Sequence, residues 1–370
     1  MRTIVILLCF LPLLSFGQTE QINNSIREHI NHDIDHPVHS ILFYVDDELN
    51  EFTYNEGFGL IDKDEAPITK HTAFKIASST KLFVSTIILQ LHEEGQLNLN
   101  DKVFPYLSAL DSLNIENIHV LDGVNYSKDI TIEQLLSHRS GLADIFTDQE
   151  EAFFGRLFQN PNQSYTPNAI MALYFDYNLN NTPHFKPDEG WYYSDINYVL
   201  LGLLIEQIDN RSLASSIRQR LLEPLHMEHT FFEYYETPIT EVAILHQYVG
   251  AIDFSNINTS FDWAGGGLVS TNSDLAIFIK ALFHLKLINQ DSLHKMIDVK
   301  FTKENESRYG LGVYEFIVNE EVYYGHFGFF GTFIGYSPKA KTTISYCISQ
   351  ATPNFNPYQF ISQLLSFKNN

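Results

Sequence analysis

The stretch Phe74-Lys75-Ile76-Ala77-Ser78-Ser79-Thr80-Lys81-Leu82-Phe83-Val84 carries a Ser-x-x-Lys step and runs straight into an apolar segment, Leu82 to Leu91. Phe83, Ile87, Ile88 and Leu91 recur there at helical spacing, which predicts a helix starting near Ser78. Positions three apart share a helix face, so the Lys81 ammonium can reach the Ser78 hydroxyl one turn away. A serine hydroxyl is weak at neutral pH and needs an adjacent base, while amides at a helix start point at developing negative charge. The motif does not decide the matter alone. A second copy, Ser292-Leu293-His294-Lys295, lies in an ordinary polar helix pattern, and Ser78 could equally be a helix N-cap with a solvated lysine.

Toward the N-terminus, Ser40 to Val45 and Phe52 to Leu60 have strand composition. The acidic run Asp46-Asp47-Glu48-Leu49-Asn50 joins them, so an antiparallel hairpin is expected. His29, His32, His36 and His39 cluster with Asp33 and Asp35, yet no familiar metal-ligand spacing occurs and two of the histidines straddle Pro37. Solvated polar residues are the reading there. Ile22 to Ile30 reads as an amphipathic helix. Met1-Arg2-Thr3, the apolar run Ile4 to Phe16 and Ser15-Phe16-Gly17 have the form of a cleavable export signal over residues 1–17. That run is shorter than the roughly 20 residues a span needs, so a periplasmic or secreted protein without stable membrane insertion is expected. Cys9 would leave with the leader. Cys347, in the alternating run Thr343 to Ser349, then has no partner and reads as a buried structural thiol. A formal charge of −22 makes nucleic acid or anionic lipid a poor partner. With 44% hydrophobic and 18% charged residues, the chain is long enough for a large core.

Toward the C-terminus, residues 101–252 read as helices and long polar loops. Thr131-x-x-Gln134 forms a capping box, and Gly141 ends that segment. Trp191-Tyr192-Tyr193-Ser194-Asp195-Ile196-Asn197-Tyr198 precedes a strongly apolar helix, Val199 to Ile208. Gly265-Gly266-Gly267 suggests close backbone approach rather than phosphate binding, since no Gly-Lys-Ser/Thr follows. Gly310 to Val318, Glu321 to Tyr324, Thr332 to Tyr336 and Thr342 to Ser349 alternate as strands, and a closing helix runs from Pro357 to Phe367. The stretch Gly325-His326-Phe327-Gly328-Phe329-Phe330-Gly331 has too many glycines for a regular strand interior.

Taken in order, these pieces resemble the serine β-lactamase-related hydrolases, the group of class C β-lactamases and serine DD-peptidases, over about Ile41 to Ser349. The resemblance is carried by Phe74 to Phe83, Ile130 to Leu142 with its Leu-Leu-Ser-His-Arg-Ser-Gly-Leu, Tyr193 to Gly202, Gly265 to Asp274 and His326-Phe327-Gly328. It implies an α/β fold, with a five-stranded antiparallel sheet flanked by helices (18–100 and 253–370) and a mostly α-helical insert (101–252). By the same resemblance Ser78 is the acylated nucleophile, and Lys81 and Tyr193 take and return its proton. The amides of Ser78 and Phe329 would form the oxyanion hole, and His326-Phe327-Gly328 would line the sheet edge of the cleft. His138 and Arg139 would only pack and hydrogen-bond. No metal or organic cofactor is implied.

Two departures bear on function. The usual Tyr-x-Asn is Tyr193-Ser194-Asp195 here, and a carboxylate near Lys81 should favour the lysine's charged form, shifting weight to Tyr193 as base. Where most β-lactamases have Lys-Thr-Gly stands His326-Phe327-Gly328, which resembles the peptidase and esterase branch. A histidine offers a substrate carboxylate only a partial positive charge at neutral pH. The expected function is an exported serine hydrolase working through an acyl-enzyme, first on D-alanyl-D-alanine-type peptides, as a carboxypeptidase does. Esterase or β-lactamase action of the same family is the alternative, with small esters or β-lactams as substrates. A non-catalytic penicillin-binding-like sensor is the rival from another class; Asp195 speaks for it, and the complete Ser78, Lys81, Tyr193 set against it. Of the dense rings Phe327, Phe329, Phe330 and Phe333, at least one is expected to line the cleft.

Overall fold

The computed structural model describes residues 11–63, 66–110, 113–299 and 308–367, with backbone alone for 11–16. The expected leader therefore lies largely outside the described residues, and Cys9 with it. Helix α1 (Leu11–His29) runs on through Gly17. Among the described residues no helix is long and apolar enough to cross a membrane.

The alternating segments form one antiparallel sheet from β1 (Ser40–Asp47), β2 (Phe52–Gly59), β3 (Tyr314–Val318), β4 (Glu321–Gly328), β5 (Thr332–Ser337) and β6 (Thr342–Ile348), in the order β3-β4-β5-β6-β1-β2. The sheet thus has six strands, not five. The additional edge comes from Asn319 and Glu320, whose φ of 49° and 68° make the tight left-handed turn that folds β3 back onto β4. The glycines of β4 also do less than expected to interrupt it. The strand continues through His326, opposite Ile334, to Gly328, opposite Thr332. At Gly328 a Cβ would lie 2.2 Å from the Ile76 carbonyl oxygen and 2.1 Å from Thr332 Oγ1. Glycine stands there because β4 passes close against the turn that bears Ser78.

The central pairing joins β1 to β6, with Ile41 opposite Ile348 and Leu42 opposite Cys347. Cys347 is buried and free, as expected of a structural thiol. On one face, α1 packs with the closing helix; Ile22 and Ile26 cluster there with Phe43, Phe360, Ile361 and Leu364. The other face meets the larger core, which includes α2 (Thr80–Glu93), α3 (Ile196–Asp209) and α4 (Asn272–Phe283). Phe83 of α2 stacks on Phe278 of α4 at 3.8 Å between ring centres. Burying each such ring contributes about 1.5–3 kcal/mol. The closing helix, α5, spans Pro357–Phe367.

The histidines near the N-terminus diverge. His29 bonds to the Ser25 carbonyl at 2.7 Å, His36 to Thr352 at 3.1 Å, and only His32 and His39 meet, Nδ1 to Nδ1 at 3.3 Å. No group of three or more potential metal ligands forms among the described residues.

Candidate active site

The approach to Ser78 is tied down on both sides. Phe74 and Lys75 pair with Ser270 and Val269, and the Ile76 N–H donates to the Leu268 carbonyl at 3.0 Å. Ala77 then adopts a φ of 44°, a left-handed conformation that costs an L-residue free energy and turns the chain sharply into the 3-10 turn Ala77–Ser79. Helix α2 starts only at Thr80. Neither Ser78 nor Ser79 caps it with a side-chain hydrogen bond, so the N-cap reading of Ser78 does not hold. Ser79 Oγ instead donates to the His326 carbonyl at 3.1 Å, and Thr80 Oγ1 accepts from Leu268 N at 3.2 Å. These bonds lock the turn between β4 and the glycine segment.

Lys81 is fully buried. Its Nζ lies 3.1 Å from Ser78 Oγ, 2.5 Å from Asp195 Oδ1 and 2.8 Å from the Gly265 carbonyl oxygen. Three oxygens match the three N–H bonds of an ammonium. The carboxylate and the carbonyl can only accept, so a neutral amine would spend its two N–H bonds on them and turn its lone pair to Ser78. Gly265 makes this approach possible, because a Cβ there would sit 2.6 Å from Asp195 Oδ1. Close approach is what the glycine run was expected to serve.

Tyr193 is half-buried, but its hydroxyl is enclosed near Ser78, close enough to feel that oxygen but outside the geometry of a formed hydrogen bond. Its ring stacks on His138 at 4.2 Å, and Lys81 Nζ lies 4.9 Å from its centre. Burial, reinforced by Asp195 and Tyr314, holds the phenol's pKa well above its ordinary value. This runs against the expected shift of the base role to Tyr193. His138 Nδ1 accepts from Ser194 N at 3.2 Å and from Asn197 Nδ2 at 3.0 Å, while Arg139 pairs with Asp188 at 2.7 Å. The Ser-His-Arg-Ser stretch is thus the platform under Tyr193. Burial pushes the His138 pKa well down, so the ring is neutral.

His326 differs from what was expected of it. Its side chain is 1% exposed, Nδ1 bonds to the Phe327 carbonyl at 2.7 Å, and Nε2 lies 3.2 Å from the Tyr309 hydroxyl. A carbonyl only accepts, so Nδ1 carries the proton and Nε2 accepts from Tyr309. Burial, together with nearby Lys81, drives the pKa down to about 3. The ring offers no positive charge to a substrate.

A cavity of about 330 Å³ opens over Ser78 and is bordered by Tyr193, Asp195 and Phe329. Among the described residues the backbone N–H groups of Ser78 and Phe329 make no hydrogen bond, so both remain available there. Phe329 is about half exposed, lines the cavity, and meets Phe254 edge-on at 6.1 Å. Phe327 turns away into a separate apolar groove, packed on Phe333 at 4.8 Å.

Two carboxylates escaped the sequence reading. Asp144, fully buried, accepts from the N–H groups of Asp195 at 2.7 Å and of Phe146 and Thr147 at 2.9 Å; burial and the Asp195 charge raise its pKa to about 7. Asp262 borders the cavity, and burial followed by the Asp195 charge raises its pKa to about 7 as well. Asp144 caps the one-turn helix Ile145–Asp148 and Asp262 ends the 3-10 turn Ser260–Asp262, so neither belongs to an element long enough to show periodicity. The only available signals were their positions, just past Ser140-Gly141-Leu142 and just before the glycine run. The second Ser-x-x-Lys copy lies apart: Ser292 is buried in the helix Gln290–Ile297, where its N–H is capped by Asn289 at 3.0 Å.

Comparison with known proteins agrees with this architecture. The Beta-lactamase family profile matches residues 34–363. Protein flp of Staphylococcus aureus (strain NCTC 8325 / PS 47) is 30% identical over 302 residues, covering 77% of this chain and 54% of that protein. The chain therefore spans about half the length of that relative. The D-amino acid amidase of Ochrobactrum anthropi SV3, solved with L-phenylalanine amide, superimposes with a TM-score of 0.77 at 22% identity over 96% of this chain and 99% of its own. The octameric penicillin-binding protein homologue of Pyrococcus abyssi gives 0.76 at 25% identity, over 96% and 77% respectively. With the profile running through nearly the whole chain and the fold shared from end to end, the chain belongs to the Beta-lactamase family.

Proposed function

We propose that the chain hydrolyses an amide or ester bond of a small aminoacyl-type substrate through an acyl-Ser78 intermediate. The observation that carries this is the triple coordination of Lys81, which leaves Ser78 as the one partner able to give a proton to a neutral Nζ. In acylation, Ser78 Oγ attacks the substrate carbonyl and its proton passes to Lys81. The N–H groups of Ser78 and Phe329 receive the oxyanion. Tyr193 gives its proton to the leaving group as the proton held on Lys81 passes to the phenol, so that both groups return to their starting states and no phenolate is left. Water then reverses the sequence to release the acid. Lys81 rather than Tyr193 is the base in this scheme, because burial and Asp195 disfavour the phenolate.

Within that class, D-alanyl-D-alanine carboxypeptidase action asks for a cation to hold the terminal carboxylate. Neutral, buried His326 does not supply one. Amides and esters without a free carboxylate fit the cavity better, and the fold's likeness to a D-amino acid amidase supports that choice. A fluorophosphonate probe followed by peptide mapping tests the scheme. Ser78 should be labelled, Ser78→Ala should abolish labelling and turnover, and Ser292→Ala should leave both intact. Labelling that survives Ser78→Ala would overturn the assignment.

A further inference from the structure

The charges around the Ser78 cavity are one-sided. Its lining includes Glu150, Asp195 and Asp262, and no lysine, arginine or histidine among the described residues. Asp195 is committed to Lys81 at 2.5 Å. Lys75, the other cation whose charge reaches Asp262, is held by Glu233 and Thr259, each at 2.8 Å. Among the described residues Asp262 makes no side-chain hydrogen bond or ion pair. It is hemmed in by protein yet open on one side to the cavity. Its Cβ and Cγ lie against Gly266, where an added Cβ would be 3.1 Å from each and 3.3 Å from the Ala77 carbonyl carbon. The carboxylate is thereby fixed beside the turn that carries Ser78.

A carboxylate without a partner, pressed against protein and reached by water only through the cavity, gains from a group of opposite charge that joins it there. The cavity it borders is largely aromatic. Phe146 and Phe261 border the same cavity and meet edge-on at 5.5 Å, and Phe254 and Phe329, 6.1 Å apart, border it as well. Ring faces attract cations and repel carboxylates. A carboxylate within an aromatic wall is the chemistry of an ammonium site, and 330 Å³ is room for a small molecule.

We propose that Asp262 is the specificity-determining residue of the cavity: it binds a substrate ammonium group next to the scissile carbonyl, so that free α-amino amides and esters are preferred over N-acylated or carboxylate-bearing ones. This rests on the acyl-Ser78 reading above. It extends that reading from the bond cleaved to the charge of the molecule that carries it.

The test separates the two. Protection of Ser78 from fluorophosphonate labelling is measured with benzylammonium and with benzyl alcohol, probes of similar size that differ in charge. The cation should protect at a concentration at least about 10-fold lower. Asp262→Asn should erase that difference, and Asp262→Glu should retain most of it. In turnover, the ratio of kcat/KM for an α-amino acid p-nitroanilide over its N-acetyl derivative should be well above one and should fall about 10–100-fold in Asp262→Asn, chiefly through KM. Equal protection by the two probes in the wild type overturns the ammonium site, and this arm needs no variant to fold. A ratio unmoved by Asp262→Asn overturns it too. Absence of any Ser78 labelling would instead sink the acyl-enzyme reading itself.

Discussion

Asp262 shows how a group useful to binding can burden the fold. Its pKa is raised by burial first and by Asp195 second, with Glu233 adding and Lys81 and Lys75 opposing. The unfolded chain loses this proton near pH 3.8, whereas the folded chain keeps it up to about 7. Between those values the folded state binds more protons. The stability contributed is therefore full below about pH 4 and is lost as pH rises toward 7. Solvent on the open side of the cavity screens the charge, so the expected loss is about 1–2 kcal/mol rather than the full shift. Asp262→Asn, which cannot ionise, should melt higher than the wild type at pH 8 by roughly a few degrees, and this gain should shrink toward pH 5. Thermal melts at the two pH values check it; a gain independent of pH would place the effect in packing instead. None of this was legible in the sequence. An aspartate ending a single 3-10 turn shows no periodicity, and its enclosure comes from Gly266, Ala77 and the rings that border the cavity. The charge of His326 was misread for the same reason. Ser78 and Lys81 were legible because their relation is local, one helical turn.

At the scale of elements, the β4–β5 hairpin divides its aromatic rings between two jobs. Phe327 stays in the ladder opposite Phe333 and packs on the sheet face, whereas Phe329 lies past the end of β4, in the turn, and reaches the cavity. The expectation that a ring lines the cleft is met by Phe329, and the turn keeps Phe327 out of it. Phe329→Ala should lower kcat/KM for substrates with a bulky apolar group by about 10-fold relative to small ones, the worth of about 1–2 kcal/mol of lost burial. Phe327→Ala should lower the melting temperature with little change in that preference. Paired kinetics and melts on the two variants decide it; equal effects of both on substrate preference would mean that the rings act together. The capping box at Thr131 and Gln134 was readable and forms as expected. The length of β4 was not, because a glycine that ends a strand and one that admits a neighbouring backbone look alike in sequence.

For the whole molecule, the order of alternating segments made an antiparallel sheet from the two ends of the chain legible, together with the helices between them. The sixth strand was legible as a segment, but the resemblance allotted the sheet only five. The layer of α1 and α5 stabilises this arrangement from outside the site. Removing residues 357–370 would strip Phe360, Ile361, Leu364 and Leu365 from the cluster that includes Ile22, Ile26 and Phe43. Four buried apolar side chains are worth several kcal/mol, a large part of a typical folding free energy. The truncated chain should lose cooperative unfolding and Ser78 labelling together. A truncation that melts normally would show that the sheet is held by its other face alone.

The pairing of β1 with β6 also has a temporal side. A ribosome delivers β1 early and must pass through the helical segments that lie between before β4 and β6 emerge, with α5 last of all. Until then, Ser79 lacks the carbonyl of His326 to hold, and the turn at Ala77 lacks the strand that braces it. Such late, non-local closure slows folding. It also means that a nascent or prematurely terminated chain has Ser78 in place along the sequence but no assembled site around it, so on the acyl-Ser78 proposal labelling of that serine would report that the last strands have been made and docked.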